Sequence, residues 1–265
     1  MITAKRKPSE DGDIAFVVEK IRLVGYAGFW VVVLTGIFLT TAFGDVNLQE
    51  TVLMKVFGYN NICVYFDHPP SNYVLPLLWA VTLVLLLCYM AAHWLQMRAE
   101  VQEGMLDRSA YRILSNLKLF EAFTLTAFST SFAVSPDAWD QTLYVHAAPF
   151  ILLQIGLASL AMSNTYHGIK SGYWRRLELP AWFETAAKAY VVVFALVVCF
   201  MITADVNAMA GSPWWEQTAA FISTAHFFDL LFLLCAAIVP MGKAAYFVWT
   251  RGDKLEVVHL TTRTT

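Results

Sequence analysis

Six long apolar stretches constrain the fold of this chain more than any other feature of its sequence. Each is long enough to cross a lipid bilayer as a helix, which takes about 20 mostly apolar residues. Their hydrophobic residues follow a helical period or run without interruption, and no stretch alternates as a barrel strand would. The predicted spans cover residues 21–44, 72–95, 113–134, 143–166, 182–206 and 215–237.

The composition agrees with a membrane protein and excludes several other classes. Apolar residues make up 58% of the 265-residue chain, and charged residues make up 14%. A soluble domain has about 45–50% and about 25%, so the chain is not an ordinary cytosolic enzyme, a disordered protein or a nucleic-acid-binding protein. The four cysteines are too few and too scattered for a disulfide framework. The sequence predicts a multi-pass protein in contact with the lipid of the cell (inner) membrane.

Lysine and arginine residues lie mainly on one side of the predicted topology. They precede the first span, lie between spans two and three and between spans four and five, and follow the last span. The other three connections together contain one basic residue, Lys55. The positive-inside rule therefore places both termini in the cytoplasm. The predicted fold is an all-α bundle of six transmembrane helices: a cytoplasmic segment at 1–20, one transmembrane domain at 21–250 and a cytoplasmic tail at 251–265.

The longest outer connection, residues 45–70, carries a helical pattern of its own. Val52, Val56 and Phe57 have helical spacing, and the connection ends in Pro69 and Pro70. We expect a short helix at the membrane interface, followed by a rigid turn into the second span.

Polar residues gather at the outer ends of spans three to six. Charged and imidazole side chains inside a membrane are costly, so they are functional candidates. The group consists of Asp137 and Asp140 in the turn before span four, His146 one turn into that span, Asp205 and Asn207 at the end of span five, and His226 and Asp229 in span six. Imidazole suits copper, zinc or iron, and a nearby carboxylate can hold the tautomer of a ligating histidine. Alternatively, the turn aspartates cap helices and His146 is a polar anchor at the interface.

A second group lies inside span three. Lys118 and Glu121 are three residues apart and therefore share a helix face, and Asp229 lies at a similar depth in span six. Glu121 and Asp229 are candidates for a proton relay, and together they would suit a proton-coupled transporter. No repeat relates spans 1–3 to spans 4–6, so a transporter built from inverted repeats is not indicated. The alternative for Lys118 and Glu121 is a neutralised structural pair facing the bundle interior.

A third group is formed by the histidines at the cytoplasmic ends of spans. His93 and His167 could pair there, and His146 and His226 could pair on the outer side. Two stacked bis-histidine sites of this kind would hold haem b in a quinone-linked membrane subunit. Taken singly, His93 and His167 are interfacial residues within the aromatic belt.

Two stretches resemble a known family. Residues 131–146 (SFAVSPDAWDQTLYVH) and 207–226 (NAMAGSPWWEQTAAFISTAH) are similar to the C, or gamma, subunit of copper-dependent membrane monooxygenases, which oxidise methane, ammonia or short hydrocarbons. The number of spans, the chain length and the interval from Trp139 to the histidine of the last span are also similar.

The two metal motifs of that family are matched in part. Asp137 and Asn207 occupy the first position of each motif, and His226 matches if one residue is inserted. Three positions that hold histidine in the family differ here, since they are occupied by Asp140, Leu153 and Gly211.

The resemblance implies a membrane subunit of an oxidoreductase complex that works with other membrane subunits. It also implies copper, with oxygen activated at the metal and one oxygen atom inserted into a small apolar substrate. The implied metal set is Asp137, Asp140, His146, Asn207 and His226, with Asp205, Asp229 and Glu121 as supporting or proton-relay groups. A divergent or non-catalytic relative would show the same partial pattern.

Overall fold

A computed structural model describes residues 2–5, 14–133, 142–211 and 219–260. Within these ranges the chain is almost entirely helical. Its ten α-helices are α1 (Val18–Phe43), α2 (Val52–Phe57), α3 (Val64–Asp67), α4 (Ser71–Gln102), α5 (Arg108–Phe128), α6 (Thr142–Lys170), α7 (Tyr173–Arg176), α8 (Trp182–Met209), α9 (Ala219–Leu233) and α10 (Val239–Thr250). A 3₁₀ segment, Ser129–Ala133, extends α5, and another, Gly252–Lys254, follows α10.

Five helical segments are long and apolar enough to cross a membrane. They are Val18–Phe43, Ser71–Gln102, Leu143–Lys170, Trp182–Met209 and Ser223–Thr250. The prediction of a helical, multi-pass membrane protein is thereby supported at five of the six expected positions. The remaining position is occupied by α5, a helix of 21 residues that is about 31 Å long. It is less apolar than the others because it contains Arg112, Lys118 and Glu121.

The last long helix extends beyond the predicted apolar window. A π-helical turn, Leu234–Ile238, joins α9 to α10 without a break. Pro240 follows in the first turn of α10. The π-helical turn directly before Pro240 changes the hydrogen-bond pattern of the continuous helix, so the missing N–H of the proline falls at a point where that pattern is irregular. The helix therefore ends at Thr250, whereas the sequence indicated 237.

The long helices form a closed ring in which each contacts the next. The order of contact is α1, α4, α5, α6, α8 and the joined α9 and α10, and α10 returns to α1. Small residues permit the closest approaches: a Cβ added at Gly156 of α6 would lie 1.9 Å from Oγ1 of Thr124 on α5. The core consists of the side chains that point into this ring, among them Trp79, Phe194 and Phe232.

The outer connection contains the expected short helix and a second one. Thr51 caps α2, where its hydroxyl accepts a hydrogen bond from the Met54 N–H at 3.1 Å, and Gly58 ends the helix with a left-handed conformation (φ 77°). Leu53 and Phe57 of α2 are buried against the bundle. This packing places the following residues, including α3, over the outer end of the ring.

A small antiparallel sheet joins the two ends of the chain. Strand β3 (Val257–Leu260) lies between β1 (Ile2–Lys5) and β2 (Ile14–Phe16). Thr3 is opposite His259, and Ala15 is opposite the same residue from the other side. The sequence indicated only an N-terminal segment and a tail, because the pairing partners are more than 240 positions apart in a chain of 265 residues.

Candidate functional site

A buried ion pair lies near the middle of the bundle. The Lys118 ammonium donates to Oε2 of Glu121 at 2.7 Å, and both side chains are almost fully buried. Lys118 also donates to Ser163 at 3.0 Å and to Asn164 at 3.3 Å. The other Glu121 oxygen accepts hydrogen bonds from Ser163 at 2.7 Å and Ser159 at 3.3 Å. Both charges are thus fully hydrogen bonded, as buried charges must be to be tolerated.

Tyr89 and His93 of α4 continue this polar group toward the end of the bundle where the terminal sheet lies. The Tyr89 hydroxyl donates to the Asn164 oxygen at 3.1 Å. The Tyr89 ring stacks on His93, with centroids 6.0 Å apart and planes at 10°, and the Arg22 guanidinium lies 4.8 Å from the Tyr89 centroid. A cavity of about 10 Å³ is bordered by both Asn164 and His93.

From His93 a chain of short hydrogen bonds runs to the surface. Nε2 of His93 lies 3.0 Å from Nδ1 of His167, and Nε2 of His167 lies 2.5 Å from Glu100. An ionised Glu100 can only accept a hydrogen bond, so Nε2 of His167 is the donor in that contact. In the neutral tautomer that this requires, Nδ1 of His167 accepts from Nε2 of His93. Glu100 also accepts from Arg176 at 2.6 Å, and Arg176 donates to Glu256 at 2.5 Å. We call these five residues, from His93 to Glu256, the inner relay.

The relay reaches solvent at Arg176. Its side chain is 23% exposed, whereas Glu100 is completely buried. Burial opposes the charge of the guanidinium, but the hydrogen bonds and charges of Glu256 and Glu100 outweigh it and raise the pKa of Arg176 above its ordinary value.

This geometry differs from the predicted pairing of His93 and His167 around a haem. Iron held between the two rings would need a nitrogen of each directed at the metal. Here Nε2 of His93 and Nδ1 of His167 are directed at each other, and the second His167 nitrogen is directed at Glu100. The two histidines of the other proposed pair differ in their exposure, since His146 is buried and His226 is exposed.

A second polar group, which we call the outer cluster, lies at the opposite ends of the helices. It consists of Tyr59, Cys63, Asp67, His146, Gln154, Asp205 and Asp229. Nε2 of His146 lies 3.7 Å from Asp67, and Gln154 donates to Asp205 at 3.4 Å. A cavity of about 20 Å³ is bordered by Cys63, His146 and Asp205.

Burial and nearby carboxylates set the pKa values of the other ionisable side chains in the outer cluster. Burial raises the pKa of Tyr59 well above its ordinary range, and the charges of Asp229 and Asp205 raise it further. Burial also raises the pKa of the Cys63 thiol, again with contributions from carboxylates, of which Asp67 is the largest. Both side chains therefore stay protonated and uncharged at neutral pH.

Three of the five candidate copper ligands, His146, Asn207 and His226, lie within the described residues, and the copper centre stays a prediction. A copper site needs several donors converging at about 2 Å from one point. Over the ranges that the structure covers, no three histidine, cysteine, aspartate or glutamate side chains are placed to hold a metal. Asn207 is half-buried, and His226 is exposed with its ring 5.7 Å from Tyr59 in an edge contact. Asp137 and Asp140 lie outside the described residues.

A band of aromatic side chains lies between the inner groups and Asp205 and Asp229 of the outer cluster, while Gln154 lies one turn inward of Phe150 on α6. Ring contacts run from Phe128 to Phe150 (6.2 Å), to Phe232 (6.1 Å) and to Phe194 (5.9 Å), so they cross the bundle from α5 to α8. Phe128 lies two turns beyond Glu121 toward the outer side. On α8, Phe194 lies closer to the inner relay than Asp205 does. On α9, Phe232 lies closer to it than Asp229 does. No hydrogen-bond chain through the described residues crosses this band.

A larger cavity of about 320 Å³ lies between α1, α6, α8 and α10. Most of its lining is apolar, but Arg22, Asn164 and Lys243 contribute polar atoms. The Lys243 ammonium lies 5.8 Å from the Trp174 ring and 5.9 Å from the Phe247 ring. Asn164 belongs both to this cavity and to the hydrogen bonds of Lys118 and Tyr89. A ligand in the cavity would therefore contact the polar group of the bundle directly. We call this space the side cavity.

Several residues of these groups were missed from sequence. On α4, Gln96 and Glu100 follow His93 by three and seven positions, which places all three on one helix face. On α6, Ser159, Ser163 and His167 repeat at intervals of four. Polar residues repeated at helical spacing on α4 and on α6 could have been recognised in the sequence. Asp67 and Glu256 had no such signal because they come from a loop helix and from the strand segment after α10.

Comparison with known protein families, with curated proteins and with solved structures finds no match for this chain. The resemblance to the gamma subunit of copper monooxygenases stays a prediction.

Proposed function

We propose that the chain is a proton-coupled membrane transporter in which Glu121 takes up and releases the proton. The observation that carries this proposal is the inner relay, in which hydrogen bonds link His93, His167 and Glu100 and the partly exposed Arg176 holds Glu100 in place. His93 borders the same small cavity as Asn164, which accepts a hydrogen bond from Lys118. Ionisable residues inside a membrane are typical of proton pathways. The copper and haem hypotheses receive no comparable support from the described geometry.

The hydrogen-bond donors and acceptors of the inner relay follow one another in the order that proton transfer needs. A proton that binds Nδ1 of His93 allows Nε2 of the same ring to pass its proton to His167, which in turn passes one to Glu100. Nδ1 of His93 has no hydrogen-bond partner in the described part of the chain. It borders the cavity of about 10 Å³, a volume close to the minimum for one water molecule. Glu100 exchanges its proton with water that reaches the partly exposed Arg176, since the guanidinium itself stays protonated. The reverse sequence brings a proton from Glu100 inward.

The ion pair couples the proton to a conformational change. Protonation of Glu121 removes its negative charge and leaves the buried Lys118 ammonium without a counter-charge. An uncompensated buried charge is strongly destabilising, so this state favours a conformation in which Lys118 finds water or another partner. Binding and release of one proton thereby shift the bundle between two arrangements.

The outer cluster is the matching exit on the other side. Asp205 and Asp229 lie beyond the band of aromatic side chains, and they can receive a proton only after the ring contacts of Phe128, Phe150 and Phe232 rearrange. Such a barrier makes each proton transfer depend on this rearrangement, so that protons cross slowly when no substrate is bound. The side cavity, which includes Asn164, is the candidate substrate site. The charge of Arg22 is paired with Glu19 at 2.8 Å. The apolar walls, with Asn164 and Lys243 as polar groups, therefore fit a small amphipathic molecule with an acceptor group.

The proposed topology has six crossings with both termini in the cytoplasm. The two ends of the chain pair in one sheet and must lie on the same side, which requires an even number of crossings. Five apolar helices and α5 together satisfy this requirement. The excess of lysine and arginine on the same side supports a cytoplasmic location.

Proton uptake into liposomes tests the proposal. The purified chain is reconstituted with an entrapped pH-sensitive dye, and a potassium diffusion potential, negative inside, drives protons inward. We expect the wild-type chain to acidify the interior faster than protein-free liposomes. The Glu121→Gln variant should fall to the protein-free rate, because an amide cannot release a proton, and Asp229→Asn should slow uptake.

The matched control is Glu184→Gln, which changes the exposed pair that Glu184 forms with Lys188 at 2.7 Å. Its uptake rate should equal that of the wild type. Undiminished uptake by a correctly folded Glu121→Gln variant would contradict the proposal, as would a wild-type rate no higher than that of empty liposomes.

A further inference from the structure

We infer that the groove between α4 and α5 is a binding site for one anionic phospholipid, held by Arg98, Arg108 and Arg112. This groove is separate from the side cavity and has a volume of about 840 Å³. The inference does not depend on proton transport.

The groove has a basic end and an apolar end. Arg98 and the two arginines of α5 line the end near the connection between the helices. Toward the middle of the membrane the walls become apolar, with Leu87, Met90, Leu119 and Ala122. A ligand that fills the whole groove must therefore combine a negative group with a hydrocarbon chain.

The three arginines are available to such a ligand. All are exposed, and none forms an ion pair with the described residues. Arg98 lies 6.0 Å from the Trp94 ring. The nearby Asp107 carboxylate caps α5, where it accepts hydrogen bonds from the Ala110 N–H at 2.8 Å and from Ser109 at 2.6 Å. It is therefore engaged with its own helix.

The other end of the groove carries no net charge. Lys118 also lines it, but its ammonium is neutralised by Glu121. The groove thus has three positive charges at one end and a neutral apolar track at the other. Guanidinium groups bind phosphate through paired hydrogen bonds, and basic pockets between membrane helices on the cytoplasmic side recognise anionic headgroups. A phosphate diester with an acyl chain matches this arrangement.

Native mass spectrometry of the purified full chain tests the inference. The chain is mixed with matched amounts of phosphatidylglycerol or phosphatidylcholine, and the bound lipid is measured. We expect one phosphatidylglycerol molecule to remain bound under conditions that remove phosphatidylcholine. The Arg98→Gln, Arg108→Gln, Arg112→Gln triple variant should bind it at least about tenfold more weakly, because each arginine near a headgroup contributes to attraction of anionic lipid. The control variant makes the same charge change at Lys20, Arg175 and Arg251, outside the groove, and should retain binding.

Two further measurements distinguish a lipid site from a site for a small anion. Ala91→Phe narrows the apolar track without a charge change, and we expect it to weaken phosphatidylglycerol binding. Glycerol phosphate, which has the headgroup charge but no chain, should not compete. Equal binding of the two lipids, equal loss in the control triple variant, or full competition by glycerol phosphate would each overturn the inference. None of these measurements involves a proton gradient, so their failure is distinguishable from failure of the transport proposal.

Discussion

At the scale of single residues, the protein keeps two opposite charges inside the bundle by giving both of them hydrogen-bond partners. Lys118 donates to Glu121, Ser163 and Asn164, and both oxygens of Glu121 accept hydrogen bonds. The pair of Glu184 and Lys188 has the same N···O distance, 2.7 Å, but is 39% and 58% exposed. An exposed pair contributes little to stability, whereas removal of one partner from a buried pair leaves an uncompensated charge.

Lys118→Met should therefore destabilise the fold by about 3–5 kcal/mol, the range for breaking a buried pair from one side. The Lys118→Met, Glu121→Gln double variant should recover much of this loss, since it removes both charges. The free energy of unfolding in detergent provides the measurement. Lys188→Met is the matched control and should cost at most about 1 kcal/mol. A double variant less stable than Lys118→Met alone would mean that Glu121 is not the partner that the lysine neutralises.

At the scale of helices, the polar groups are brought together by close packing of α5 on α6. Gly156 allows the approach, because the space that a Cβ would need is already filled by Thr124. The two helices then hold Glu121 and Ser163 at hydrogen-bond distance, 2.7 Å. Gly242 of α10, by contrast, is exposed and has nothing within 4 Å of the position of an added Cβ.

Gly156→Ala should cost about 1–3 kcal/mol, because an added methyl group in a tightly packed contact forces neighbouring atoms apart. Gly242→Ala should be neutral or stabilising by up to about 1 kcal/mol, since alanine is the better helix former and meets no obstacle. Thermal unfolding of both variants in the same detergent measures the difference. Equal stability of the two variants would show that α5 and α6 are not in close contact at this glycine.

At the scale of the whole molecule, the ring closes where the ends of the chain meet. α10 returns to α1, and β3 lies between the two N-terminal strands. The inner relay depends on this closure, because Glu256, which accepts from Arg176, belongs to the segment that leads into β3. The sheet therefore positions one end of the proposed proton pathway.

The pairing of the ends predicts a specific cross-link. Thr3→Cys with His259→Cys, opposite each other in the sheet, should form a disulfide on mild oxidation. The exposed native Cys88 and Cys199 are first replaced by alanine, while the two buried cysteines remain. Gel mobility with and without reductant reports the bond. Thr3→Cys with Asp253→Cys is the mismatched control, and equal cross-linking of the two variants would argue against the register of the sheet.

The sequence by itself determined the class of protein and the positions of its long helices. A backbone inside lipid must satisfy its own hydrogen bonds, so runs of about 20 apolar residues form helices whatever surrounds them. It also singled out Lys118 and Glu121, since charges in an apolar run are costly and stand out. The short helix in the outer connection was likewise visible in local spacing.

Only the tertiary structure decided which polar residues meet. Whether a histidine faces the interior depends on how its helix is rotated against its neighbours, and hydropathy does not report that rotation. His146 and His226 were both candidate metal ligands from the sequence, yet one is buried and the other exposed. His93 and His167 were assigned to opposite sides of a haem, yet the ring brings them to 3.0 Å from each other. Contacts between distant segments are set by packing of whole helices, which no local pattern encodes.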